Sequence, residues 1–388
     1  MPAHHDVLMG PGSSAAMADV VWRYAGRSPA RTRSAVVVGA SFDSREWSGR
    51  LHEAAGPLRP AWFRHQGAVT PESVAELAGQ LRESRTNVLV TVGGGSVMDA
   101  AKAATRMAGV PNVTAAAVLA ACTGEFDPPP SPVRLVAIPT TPGTGAEVTP
   151  FATVWDVAGN RKLSLTGGQV RPSAVILDPD LVRGLAARHL NSSLLDTLCQ
   201  AAEAAWSVRG GAESTGVALA ALAMLGPQLD RIDPAHPRGP DRILLQLAGH
   251  MSGQAIALAP TSSCHAVSYP LTLRAGLAHG HACGVSLGRM LRYNAAVEAD
   301  DCADPRGPAR VRETIDRIGA ALGGHDVPSA ADRVERFVAR SGLGTLDDLD
   351  VDTDLVAEEA LSYPRCADNP RALTVPDLAK LLASPAGR

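Results

Sequence analysis

Lysine is almost missing: of 36 Lys+Arg residues only Lys102, Lys162 and Lys380 are lysines, so a lysine that survives this arginine-rich bias carries more information than usual. Aromatic residues are 4% of the 388-residue chain, too few for a base-stacking surface. The formal net charge of −3 supplies no basic field for a phosphate backbone or an anionic membrane. Neither nucleic acid nor a membrane is therefore an expected partner. The six cysteines, Cys122, Cys199, Cys264, Cys283, Cys302 and Cys366, contain no CxxC pair. That argues against a zinc finger or a secreted disulfide framework and for reduced thiols in a cytoplasm. The opening MPAHHDVLMG has no basic segment followed by an apolar one, so a signal peptide is not expected. The longest run without Asp, Glu, Lys or Arg, residues 243–273, contains His250, Gln254, Pro260, Thr261, Ser262, Ser263 and His265, and reads as a buried segment of a globular protein.

What is present is a globular composition, 45% hydrophobic and 19% charged, long enough for two or three domains. Short Val/Ile-rich runs at 34–39, 87–92 and 133–138, each ending at Gly or Pro, predict buried parallel strands. Between them 71–81 has helical spacing, with Thr70 as N-cap and Pro71 at the first helical position. This rhythm predicts βαβ units in a doubly wound sheet. After about Leu181 strand signals stop, and 194–208, 212–229, 242–257, 284–297, 310–322 and 375–382 read as helices broken by loops such as 233–240. The expected division is an α/β domain over 1–183 and an all-helical domain over 184–388.

Two loops and one scattered set carry the chemistry. Gly93-Gly94-Gly95-Ser96, followed by Asp99 and Lys102, leaves a strand and opens a helix, where glycines let a backbone approach a pyrophosphate and free N–H groups bind it. Neither a GxxxxGK[ST] loop nor a GxGxxG fingerprint is present, which excludes the ordinary P-loop and standard Rossmann patterns. Thr140, Thr141 and Thr144 lie on a second Gly/Thr-rich loop after another strand and offer hydroxyls and amides to a ribose or nicotinamide. Taken alone, it is equally a turn that caps a helix. In the helical half Asp196 and Gln200 share one helix face, while His265 and His279 flank the turn-prone Tyr269-Pro270 and Gly276. One carboxylate with two imidazoles suits Fe²⁺ or Zn²⁺, although spacing leaves open that each histidine is a satisfied core residue.

These residues, together with Glu147-Val148-Thr149, Pro172 through Asp178-Pro179, Glu203, His279-Gly280 and Asn369-Pro370, resemble in order the iron-containing (group III) alcohol dehydrogenases. The resemblance implies the dehydroquinate synthase-like fold: an N-terminal dinucleotide-binding α/β domain and an all-α metal and substrate domain. It implies NADPH or NADH on Gly93, Gly94, Gly95, Ser96, Asp99, Thr140, Thr141, Thr144, Lys162 and Leu181. A divalent metal, Fe²⁺ or Zn²⁺, would sit on Asp196, His265, His279 and Gln200. Gln200 departs from the family, which usually has histidine there, and an amide oxygen is the weaker donor.

Within the family, residues 149–156, His265 through Tyr269-Pro270, and His279-Gly280-His281-Ala282 are most similar to the phosphonoacetaldehyde-reducing members. The expected reaction is reduction of a small aldehyde to a primary alcohol, phosphonoacetaldehyde to 2-hydroxyethylphosphonate. His281 or Tyr269 is expected to relay the proton, and Arg274 or Arg365 to pair with the phosphonate. Val38-Gly39-Ala40-Ser41 offers no acid to a ribose 2′-hydroxyl, which predicts that NADPH serves at least as well as NADH. A cytoplasmic homodimer is expected. The alternatives are another small-aldehyde dehydrogenase, a dehydroquinate synthase-like lyase, a maleylacetate reductase and a nucleotide-binding non-enzyme.

Overall fold

The structure, a computed structural model, describes residues 6–25, 31–159, 161–233 and 239–383, so most of the expected loop 233–240 and the first five residues lie outside it. The chain forms two compact units, residues 1–141 with 146–184, and residues 142–145 with 185–388.

In the first unit the Val/Ile runs are strands because both of their faces are covered. β1 (Asp6–Met9), β2 (Ser34–Gly39), β3 (Ala61–His65), β4 (Val88–Gly93), β5 (Arg134–Pro139) and β8 (Ala174–Leu177) form one parallel sheet in the order β1-β8-β5-β4-β2-β3. On one face α1 (Met17–Ala25) and α2 (Ser48–Ala55) bury Met17, Val21 and Leu51 against Val36, Val90 and Val136. On the other, α3 (Pro71–Glu83), α4 (Gly95–Met107) and α5 (Ala115–Thr123) pack Val74, Leu77, Ala100 and Val118 against Val37 and Leu89. Strands that alternate in neither polarity nor burial are the expected result of this double cover. An antiparallel hairpin of β6 (Phe151–Asp156) and β7 (Arg161–Thr166) adds Ala152, Val154 and Leu165 to the second face. Thr70 caps α3, its side chain accepting from Ser73 N.

The sheet order fixes where a ligand can sit. From β2 the chain steps to β3 on one side and returns to β4 on the other, so the connections diverge between β2 and β4. Ligands of open α/β sheets lie outside the strand C-termini at such a point. Gly39-Ala40-Ser41 leaves β2 there and Gly93-Gly94-Gly95 leaves β4.

Among its described residues the second unit is helical, with only the isolated bridge Cys302–Arg371 between extended segments. Its helices are α6 (Ala187–Trp206), α7 (Ala212–Leu225), α8 (Gly239–Leu258), α9 (Ser263–Ala275), α10 (His279–Ala295), α11 (Pro308–Ala321), α12 (Val327–Arg340), α13 (Thr353–Ser362) and α14 (Val375–Leu382). Tyr269-Pro270 is not a turn: Pro270 lies inside α9, and the chain turns only at Gly276, whose φ is +67°. Burial of Ala266, Val267, Tyr269 and Leu271 holds the helix through a proline that removes one of its hydrogen bonds. No described helix is long and apolar enough to cross a membrane.

Candidate active site

The glycine loop is shaped by what its glycines omit. A Cβ on Gly93 would lie 2.7 Å from Val97, and one on Gly94 would lie 3.1 Å from Thr141 Cγ2 and 3.2 Å from its Oγ1. Gly94 is the N-cap of α4 and has no side chain to cap it, so the first N–H groups of a thirteen-residue helix stay available to an anion. The Thr140 amide donates to Gly93 O at 3.0 Å, which ties the second loop to the first. Beside Gly94, Thr141 Oγ1 is buried without a hydrogen-bond partner among the described residues. A glycine cradle, an open helix N-terminus and an unsatisfied hydroxyl are the parts a dinucleotide requires, so these residues fit one.

Asp99 and Lys102 work behind that loop. Lys102 is fully buried, with Nζ 2.9 Å from Ala146 O, 2.8 Å from Thr149 Oγ1 and 3.4 Å from Asp99 Oδ1, and burial pushes its pKa down. The other Asp99 oxygen accepts from Thr153 N at 3.0 Å. The pair therefore pins α4 to the hairpin and to 146–149. Lys162 stands opposite Trp155 in the hairpin, its Nζ 5.6 Å from the ring centroid. Leu181 is 2% exposed and packs in the core with Val38 and Ile176; its side chain fills the sheet face.

The second unit gathers the donors. Asp196 lies on α6, His265 in the first turn of α9, His279 at the start of α10 and Cys283 one turn later. One ligand atom from each lies within 4.8 Å of every other. His265 Nε2 is 3.4 Å and His279 Nε2 3.9 Å from Asp196 Oδ1, and Cys283 Sγ is 4.0 Å from His279 Nε2. Bonds of about 2.0–2.3 Å to a central ion give tetrahedral edges of roughly 3.3–3.8 Å, so the donor set fits a divalent metal. Close approach of α10 to α6 makes this possible: a Cβ on Gly280 would collide with Ser192 O, and one on Gly284 would lie 2.8 Å from Leu195 Cβ.

Both imidazoles are oriented from behind. Buried Glu203 accepts the ring Nδ1–H of His265 and also the backbone amides of Cys264 (2.6 Å) and His265 (3.3 Å). Ser262 Oγ donates to the same carboxylate at 3.2 Å and itself accepts from Trp206 Nε1 at 2.8 Å. His279 Nδ1 faces Ser268 Oγ at 3.3 Å, and that hydroxyl spends its proton on His265 O at 2.7 Å. Each ring thus engages the protein through Nδ1 and directs Nε2 toward Asp196. Burial opposes charge on His265, yet the surrounding Cys283, Glu203 and Asp196 outweigh it and hold its pKa well above the usual histidine range.

Gln200 does not join these donors. Its Nε2 donates to Thr144 O at 3.3 Å and its Oε1 lies 3.0 Å from Ser252 Oγ, which also reaches Gly249 O at 2.8 Å, so the amide ties α6 to the 142–145 segment and faces α8. Cys283 is the member the sequence analysis did not single out, although its spacing of one helical turn from His279 is the usual signal of two side chains on one face.

With this geometry in place, the comparisons with known proteins decide the family. The iron-containing alcohol dehydrogenase model matches residues 5–179, and its C-terminal counterpart, the Fe-containing alcohol dehydrogenase family, matches 191–385. The chain belongs to the iron-containing alcohol dehydrogenase family. It is 54% identical over 353 residues to the phosphonoacetaldehyde reductase of Streptomyces viridochromogenes, covering 90% of this chain and 89% of that protein. A probable alcohol dehydrogenase of Escherichia coli, EutG, is 29% identical over 84% of this chain and 75% of its own length. Among solved structures, sulfoacetaldehyde reductase from Bifidobacterium kashiwanohense, in complex with NAD+, superposes with a TM-score of 0.80 at 24% identity, over 97% of this chain and 96% of that one. The iron-containing alcohol dehydrogenase of Thermococcus thioreducens gives 0.82 at 21% identity, over 97% of both chains. The chain is thus an oxidoreductase that reduces an aldehyde to an alcohol with a nicotinamide cofactor and a divalent metal.

For this iron-containing alcohol dehydrogenase the structure separates the remaining candidates. His281 is turned away from the donor group, since a residue two positions after His279 lies on the far side of α10. Its Nε2 is 2.9 Å from Gly344 O, and burial lowers its pKa, so the ring is held on that carbonyl, apart from the donor group. Tyr269, one turn after His265, stacks on His279 with centroids 6.4 Å apart and rings 11° from parallel, and meets Tyr363 edge-on at 4.6 Å. Arg274 forms a two-pronged surface pair with Glu359 and has its charge already matched. Arg365 donates to Thr261 Oγ1, just ahead of the turn that carries His265.

Proposed function

We propose that this enzyme reduces phosphonoacetaldehyde to 2-hydroxyethylphosphonate, with NADPH serving at least as well as NADH. The observation that carries the substrate is the 54% identity to a phosphonoacetaldehyde reductase over 90% of the chain. When bound, the nicotinamide supplies hydride and the divalent ion polarises the carbonyl oxygen. The chain's own part is to hold and aim these groups. Gly93, Gly94 and the first amides of α4 seat the pyrophosphate. Asp196, His265 and His279 would hold the ion, with Glu203 and Ser268 engaging each Nδ1 so that Nε2 is the atom offered to it. Tyr269, packed on His279, is the group that returns a proton to the product oxygen. Arg365 pairs with the phosphonate, whose oxygens match a guanidinium fork.

Cofactor choice rests on the end of β2. Ala40 places no carboxylate there, and Arg45 Nη2 lies 3.5 Å from Ser41 Oγ, which puts a cation beside the hydroxyl where a 2′-phosphate would sit. The reading also includes a homodimer and the cytoplasmic location expected from the scattered, unpaired cysteines; a sedimentation mass of one chain would contradict the dimer. The deciding experiment is a panel of phosphonoacetaldehyde, sulfoacetaldehyde and propionaldehyde with each cofactor. Phosphonoacetaldehyde should have the highest kcat/KM, and Arg365→Ala should lower that value about tenfold or more while sparing propionaldehyde. Equal turnover of propionaldehyde by the unmodified enzyme would remove the phosphonate assignment.

A further inference from the structure

We propose that Cys283 is a thiolate ligand of the divalent ion and that Gln200 is a structural amide outside its coordination shell, an inference that rests on reading Asp196, His265 and His279 as the metal site. Three observations carry it. Cys283 is fully buried and is the fourth member of a group whose donor atoms all lie within 4.8 Å of one another. It sits one turn after His279 on α10, so the two side chains project from one face, with Sγ 4.0 Å from Nε2. The residue that helical spacing offers instead, Gln200, has its nitrogen donating to Thr144 O and its oxygen 3.0 Å from Ser252 Oγ, a hydroxyl that also reaches Gly249 O. Turning Gln200 toward the ion would break both contacts in a side chain that is 4% exposed. Cys283 needs no such rearrangement.

The chemistry is balanced. As the ion binds, the Cys283 S–H gives its proton to solvent and the sulfur's electron pair forms the metal bond. With the Asp196 carboxylate, the thiolate makes the two negative charges that neutralise a divalent cation, which two imidazoles and one carboxylate do not. A sulfur donor is also softer than the amide oxygen it replaces, which moves the site's preference toward zinc and away from iron.

The test uses the full chain loaded with cobalt(II) in place of the native ion. The wild type should bind one cobalt per chain and show a sulfur-to-cobalt charge-transfer band in the near ultraviolet. Cys283→Ser should lose the band and weaken metal affinity at least about tenfold in a chelator competition. Cys199→Ser, altering a buried thiol that shares a hydrogen bond with Cys264, should keep the band, and so should Gln200→Ala. Should Cys283→Ser lose its helical circular dichroism, X-ray absorption of the zinc-loaded wild type gives the same answer, with one sulfur at about 2.3 Å expected. Bound cobalt without the band, a band that survives in folded Cys283→Ser, or a zinc shell of nitrogen and oxygen alone would overturn the thiolate and leave the metal site standing. Failure to bind cobalt at all would overturn both.

Discussion

The glycine loop of the first unit and the donor group of the second are made of different materials. Around Gly93 and Gly94 the binding surface is backbone, opened by missing side chains and aimed by the end of α4; around Asp196 it is four side chains that three helices bring within 4.8 Å of each other. A backbone site tolerates change in the side chains around it but not an added Cβ. A side-chain site tolerates loss of a distant contact but not of one atom. The two should therefore fail separately and by different amounts.

The largest effect is expected where one donor is removed. His279→Ala should lower kcat/KM for aldehyde reduction about 10³-fold or more, because polarisation by the ion is worth several kcal/mol and each 1.36 kcal/mol is about a factor of ten. NADPH binding, followed by its fluorescence, should be unchanged. Next comes Gly94→Val, whose branched side chain meets Thr141 and fills the approach of the pyrophosphate. A steric cost of about 3 kcal/mol raises the Kd for NADPH roughly 10²-fold, while metal content stays at that of the wild type. Loss of metal in this variant would show that the two sites do not fail separately.

Glu203→Gln keeps the size of the side chain but can turn an N–H₂ toward His265 Nδ1, which favours the tautomer with its proton on Nε2. Metal affinity should fall about 10-fold to 100-fold by chelator competition, with kcat recovering at saturating metal. A purely structural role would lower the melting temperature and leave affinity per folded molecule unchanged. Ala40→Asp acts through charge alone: a carboxylate several ångströms from the 2′-phosphate in a water-like medium costs about 1 kcal/mol, shifting the NADPH/NADH ratio of kcat/KM about fivefold toward NADH.

The same contrast explains what could be read from the chain. The runs at 34–39 and 87–92, the helix opened by Thr70-Pro71 and the loop Gly93-Gly94-Gly95 are local signals, and local signals settle a backbone site. β1 and β8 are four residues long, β8 gaining its status from pairing with β1 and β5, and the Ala-Trp-Phe-Arg-His of β3 at the sheet edge does not alternate apolar with polar residues, so neither length nor periodicity marks them in sequence. α9 was hidden by Pro270, a residue that breaks helices unless packing on several sides holds them, as it does here. In the metal group Asp196, His265 and His279 were legible as residue types. That Gln200 turns toward Ser252, that Arg274 is matched by Glu359 and that His281 faces Gly344 depends on neighbours far along the chain. Cys283 was legible by its spacing from His279, and reading all six cysteines together as reduced thiols obscured it.

The most direct test of the account strips the divalent ion from the intact enzyme with a chelator and follows both NADPH binding and NADPH oxidation by phosphonoacetaldehyde. The account predicts unchanged NADPH affinity, complete loss of oxidation, and recovery when the ion is restored; undiminished oxidation by protein shown to be metal-free would contradict it.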